Sequence, residues 1–126
     1  MSTITLTGAA FADTIHENDI VLVDFWAAWC GPCRMFAPIF ENASTQHHDV
    51  VFAKVDTEAE RELAGQAGIT SIPTLMAFRE GILLYSEPGA LPAMGLEEII
   101  GAIKALDMDA VRQEISEHQD GSVTQP

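Results

Sequence analysis

At 126 residues, 48% of them hydrophobic, the chain can bury one core and is too short for two domains. Nineteen acidic residues against six basic ones leave a formal net charge of −13, which repels a polyanionic backbone and argues against nucleic acid as a partner. No eighteen apolar residues run together, and the opening MSTITLTGAAFADT carries neither a basic leader nor an apolar stretch of signal-peptide length, so a soluble cytoplasmic protein without membrane contact is expected.

Taken in chain order, TITLT reads as a short strand, and GAAFADTIHEN sets Phe11 and Ile15 four apart, which suits a small amphipathic helix. IVLVDFWA is a nearly unbroken apolar run rich in β-branched residues and predicts a strand buried on both faces. CGPCRMFAPIFENASTQHH is long enough for a helix. Pro32 suits its first turn, where a missing N–H costs nothing, while Pro38 falls inside it and predicts a kink. VVFAKVD reads as a second buried strand, and EAERELAGQAG as a polar helix closed by Gly65 or Gly68. TLMAFRE and ILLYSE flank Gly81 as an antiparallel hairpin, and LEEIIGAIKAL predicts a helix whose apolar face holds Ile99, Ile103 and Leu106. The order is βαβαβ followed by αββα, an α/β fold.

Asp24 and Lys54 interrupt the two buried strands. An unpaired buried charge costs several kcal/mol, so the two are expected to face one another across adjacent strands. Lys54 has a second way out, reaching solvent along its aliphatic stem. Asp24 lies six positions before Cys30, at the carboxyl end of a strand, the edge where open α/β sheets gather their sites. A shielded carboxylate there acquires a raised pKa and can exchange a proton with a thiol.

Both cysteines of the chain stand in WAAWCGPCR, residues 26 to 34. A zinc site needs about four ligands, and Cys30 with Cys33 supplies two. His47 and His48 are adjacent, and His16 and His118 lie at opposite ends of the chain, so no metal is expected. As a purely structural disulfide the pair would close a very short loop, restricting the unfolded chain by roughly 2 kcal/mol. Redox chemistry fits better. Cys30 follows a buried strand and opens a helix, where free N–H groups and the helix dipole stabilise a thiolate, and Cys33 is one turn on, in reach of a mixed disulfide formed at Cys30.

VDFWAAWCGPCR together with GITSIPTL resembles the thioredoxin family over about residues 3 to 107. The resemblance implies the thioredoxin fold, a central mixed β-sheet flanked by helices on both faces. It implies that Cys30 attacks a substrate disulfide, that Cys33 resolves the intermediate, and that Asp24 and Lys54 assist proton transfer near Cys33. It makes Pro73 a cis proline facing the cysteines, with Ile72 offering backbone groups to a docked peptide. Trp29, Gly31 and Pro32 would complete the docking surface with Gly89 and Ala90, while Trp26 packs behind the site. Pro88 stands where the family more usually carries a β-branched residue. Arg34 reads either as a solvated helix residue or as a cation favouring a nearby anion.

The implied activity is protein-disulfide reduction, with no bound cofactor and with NADPH supplying electrons through thioredoxin reductase. Ribonucleotide reductase, peroxiredoxins and methionine sulfoxide reductases are the family's target classes. Within the same chemistry the rival is a disulfide oxidant or isomerase, disfavoured by Gly31 and Pro32. A different class of rival is a client-binding module or holdase using the Trp29, Ile72 and Pro73 surface. Residues 1–107 form the expected domain and 108–126 an extension. Within it Met108, Val111 and Ile115 share a helical face rotated away from that of Ile99, Ile103 and Leu106, which places a break near Asp107 to Asp109. The extension is expected to fray, with 119–126 disordered, and the protein to be a monomer.

Overall fold

In the computed structural model the backbone is described for residues 2–124 and the side chains to His118. Ten elements follow one another: β1 (Thr3–Thr5), α1 (Gly8–Glu17), β2 (Ile20–Trp26), α2 (Gly31–Gln46), β3 (Val51–Asp56), α3 (Arg61–Gln66), β4 (Thr74–Arg79), β5 (Ile82–Pro88), α4 (Ala93–Ala105) and α5 (Met108–Thr124). The strands form one sheet in the order β1-β3-β2-β4-β5. β1, β3 and β2 run parallel, whereas β4 is antiparallel to β2 and β5 to β4, so the sheet is mixed.

β2 lies at the centre, and its alternation divides the molecule into two cores. Ile20 and Leu22 face one side, where they meet Phe36, Phe40, Leu96 and Ile100 of α2 and α4. Val21, Val23 and Phe25 face the other, beneath Phe11 and Ile15 of α1 and Leu63 of α3. Both faces of β2 are therefore covered, which explains why its sequence is apolar throughout rather than alternating. Phe36, Phe40 and Ala43 recur at helical spacing along α2 and turn one stripe into the first core. The helix continues unbroken past Pro38, whose side chain is exposed.

Turn chemistry sets the boundaries. α3 is shorter than its sequence pattern and ends in a Schellman arrangement: Ile69 N–H donates to Ala64 C=O at 3.0 Å and Gly68 N–H to Gly65 C=O at 3.1 Å, with Gly68 at φ +73°. Between β4 and β5, Glu80 and Gly81 both take positive φ, 53° and 79°, the two-residue turn whose twist matches an antiparallel hairpin.

The last two helices correct the predicted apolar face. α4 buries Leu96, Ile100 and Ile103, while Ile99 is half-buried and Leu106 caps the helix, partly exposed. Its apolar stripe is wider than one core can cover, so periodicity alone could not select the buried edge. The expected break occurs at Leu106 and Asp107, where Asp107 Oδ1 accepts from the N–H groups of Asp109 and Ala110 at 3.1 and 3.3 Å and caps α5. Met108 is buried, and Arg112 is paired with Glu80 and Asp109, so the first turns of α5 are fastened to the hairpin turn. Helical backbone is described to Thr124, within the stretch expected to be disordered; residues 125–126 lie outside the described residues.

Candidate active site

The turn after β2 delivers the cysteines. Cys30 N–H donates to Ala27 C=O at 3.2 Å, which closes the turn, and Cys30 then serves as the N-cap of α2. Its Sγ accepts from the backbone N–H of Cys33 at 3.2 Å, using one of the donors that a helix N-terminus leaves unpaired. Cys30 and Cys33 form a disulfide with their Cα atoms 5.2 Å apart, and both are almost fully buried among Ala27, Trp26 and Ile72. When the bond is reduced, the same N–H and the positive end of a sixteen-residue helix favour the thiolate at Cys30.

The residues expected to form a docking surface can be placed relative to the sulfurs. Trp29 is 68% exposed, and its indole N–H donates to Glu58 Oε2 at 3.4 Å. Gly31 and Pro32 form the first turn of α2, with Pro32 exposed. The Ile72–Pro73 peptide is cis, and the carbonyl oxygen of Ile72 lies 3.7 Å from Cys30 Sγ. Pro73 C=O accepts from Gly89 N–H at 2.8 Å, and Gly89 has a φ of +108°, so the exposed Gly89 and Ala90 turn is tied directly to the loop beside the cysteines. Pro88 ends β5 opposite Thr74.

Asp24 and Lys54 are register partners across β2 and β3, as the sequence predicts. Their direct pairing is not formed. Neither carboxylate oxygen of Asp24 has a hydrogen-bond partner within the described residues, and the Lys54 ammonium instead lies 5.1 Å from the centroid of the Trp26 ring. The indole offers a cation site that the sequence argument did not weigh. Asp24 is completely buried, and its pKa is pushed up to about 7 by desolvation, with Lys54 opposing the rise. By strand parity Asp24 shares the face of Ile20 and Leu22, the side on which α2 packs. It thus lies under the helix that carries Cys33.

Arg34 is exposed, and its guanidinium donates to Ala28 C=O at 2.8 Å. His47 is held by Glu97 and Lys104, and among the described residues no group of three or more His, Cys, Asp or Glu side chains could hold a metal. Glu58 escaped sequence reasoning. It reaches Trp29 from 29 residues away, and one glutamate in an acid-rich stretch carries no signal of that contact.

Comparison with known proteins agrees with this geometry. The thioredoxin family model matches residues 2–102. A relative from Streptomyces coelicolor is 51% identical over 118 residues, covering 94% of this chain and 88% of its own length. The thioredoxin of Alicyclobacillus acidocaldarius is 51% identical over 97 residues, covering 76% of this chain and 92% of that one. Among solved structures, a thioredoxin variant of Halobacterium salinarum superposes with a TM-score of 0.77 at 32% identity, covering 83% of this chain and 94% of its own. With a mixed sheet, a dithiol at a helix N-terminus and relatives at this level of identity, the chain belongs to the thioredoxin family.

Proposed function

We propose that this thiol–disulfide reductase passes two electrons from Cys30 and Cys33 to disulfides of other proteins. The observation that carries the reading is the position of Cys30, N-cap of α2 and 3.7 Å from the Ile72 carbonyl beside cis Pro73. The Cys30 thiolate attacks one sulfur of the substrate disulfide. That bond breaks, the leaving sulfur takes up a proton, and Cys30 is joined to the substrate. Cys33 then loses its proton and attacks Cys30 Sγ, the second substrate thiolate leaves, and the Cys30–Cys33 bond forms. The dithiol has given up two electrons and two protons, and the substrate has gained them.

The other residues serve these two steps. Asp24 accepts the Cys33 proton, a role suited to a carboxyl titrating near 7, and Lys54 tunes Asp24 through its charge. Ile72 offers its main chain to an extended substrate segment, while Trp29, Gly31, Pro32, Pro73, Gly89 and Ala90 form the surface against which the segment lies. Thioredoxin reductase, drawing on NADPH, restores the dithiol, so the chain carries no resident cofactor. The protein works as a cytoplasmic monomer, with residues 1–107 as the catalytic domain and 108–126 as an added segment.

Cys30→Ser should abolish turnover of a model protein disulfide with dithiothreitol as the electron source, and Cys33→Ser should accumulate the mixed disulfide. Turnover surviving Cys30→Ser would refute the scheme. The equilibrium potential of the pair separates a reductase from an oxidant or isomerase: the reference value for thioredoxin is about −270 mV and that for protein disulfide isomerase about −180 mV.

A further inference from the structure

A groove of roughly 800 Å³ opens between β5, the end of α4 and α5. It lies away from the cysteines: Ile82 pairs with Arg79 and Arg79 with Ile20 at the start of β2, whereas the cysteines follow Trp26 at its end. Leu83 and Tyr85, Ile103 and Leu106, and Glu114 and Ile115 come from its three walls. Leu83, Leu106 and Ile115 are 48%, 38% and 37% exposed, large apolar side chains gathered in one place.

All four consecutive residues 82–85 line the groove. The β4–β5 pairing skips Leu84, with Phe78 opposite Leu83 and Ala77 opposite Tyr85, so alternation breaks at a bulge: Leu84 and Tyr85 both pack against the core shared with α4 while Leu83 stays exposed, and the groove reaches from that face to the edge of β5. That edge is open, because among the described residues β5 pairs only with β4. The far wall is anchored by buried Met108, by the Asp107 cap and by the pairing of Arg112 with Glu80. The groove is also one-signed. Tyr85, Glu114 and His118 are its titratable lining residues, among the described residues no lysine or arginine lines it, and Arg112 is already held by Glu80 and Asp109. A second copy of the chain would bring a further formal charge of −13 to the same face, which opposes self-association.

We propose that this groove takes an extended segment of another protein with apolar side chains at alternate positions and Lys or Arg between them. The segment adds to β5 as a sixth strand, its apolar residues meeting Leu83, Leu106 and Ile115 and a cation meeting Glu114. A partner held there leaves Cys30 free for disulfide exchange.

The test uses the full oxidised chain and a labelled ten-residue peptide alternating Val and Lys, with a Val and Glu counterpart, both read by fluorescence anisotropy. The Lys peptide should bind saturably and the Glu peptide should not. Glu114→Lys and Ile115→Arg should each weaken binding at least about tenfold while Cys30-dependent turnover is unchanged. Asp13→Lys, the same charge change on exposed α1 surface, should alter binding little, and amides of residues 82–88 should exchange more slowly with peptide present. Equal binding of the two peptides, insensitivity to both groove variants, or protection at Ile72 in place of β5 would each overturn the proposal. So would a peptide-free dimer that Ile115→Arg dissociates, since the groove would then belong to a second copy.

Discussion

Asp24 concentrates the energetics of the site in one side chain. Its carboxyl titrates near 3.8 in an ordinary setting and near 7 in the fold, so between those values the native state holds a proton that the unfolded chain releases. Stability therefore falls as pH rises from about 4 to about 7 and stays reduced above, by about 4 kcal/mol at a constant of about 1.4 kcal/mol per pH unit. Asp24→Asn should raise stability at pH 8 by an amount of that order and by much less at pH 5, measured by denaturant unfolding at both pH values. The same variant should slow resolution of the mixed disulfide by Cys33 more than its formation by Cys30; equal slowing of both would remove Asp24 from the proton path. Sequence exposed this residue because a lone charge in an apolar strand is conspicuous. It did not expose the fate of Lys54, which depends on where the Trp26 ring lies.

Helix ends show where local code suffices and where it does not. Gly68 was legible as a stop signal, and its positive φ explains why; Gly68→Ala should cost about 1 kcal/mol in unfolding experiments through left-handed strain. The end of α4 is different. Arg79 Nη1 donates to the carbonyls of Ile103, Lys104 and Leu106 at 2.9, 3.2 and 3.1 Å, so a residue of β4 closes a helix more than twenty positions away. Removing it with Arg79→Ala should destabilise the protein by about 1.5–3 kcal/mol, the scale of hydrogen bonds from a charged group, and should loosen amide exchange at residues 103–106. Nothing near Leu106 in the chain announces that cap. The break before α5, by contrast, was visible as a shift in helical phase, and the shift has a purpose in packing: Ile99, Ile103 and Leu106 meet Val111 and Ile115 across one groove instead of lying on separate faces.

At the scale of the whole molecule, every Lys and Arg is engaged internally. Arg34 holds Ala28, Lys54 lies over Trp26, Arg61 pairs with Glu58, Arg79 caps α4, Lys104 pairs with Asp49, and Arg112 joins Glu80 to Asp109. The carboxylates outnumber these cations nineteen to six and leave a surface field of one sign. Attack on a disulfide peptide rich in lysine should therefore slow as ionic strength rises, and attack on an acidic counterpart should quicken, in stopped-flow measurements between low and physiological salt. Identical salt dependence for both peptides would show that the field does not reach Cys30.

The sequence by itself determined the order of elements, the burial of β2 and the reactive pair, because apolar periodicity, turn residues and a two-residue cysteine spacing are properties of neighbours along the chain. Tertiary structure alone decided which stripe of α4 is buried, that Asp24 keeps both oxygens unpartnered among the described residues while Lys54 turns to Trp26, and that β5, α4 and α5 enclose a groove. These outcomes depend on which distant surfaces compete for the same side chain, and that competition arises only when the sheet has brought them together.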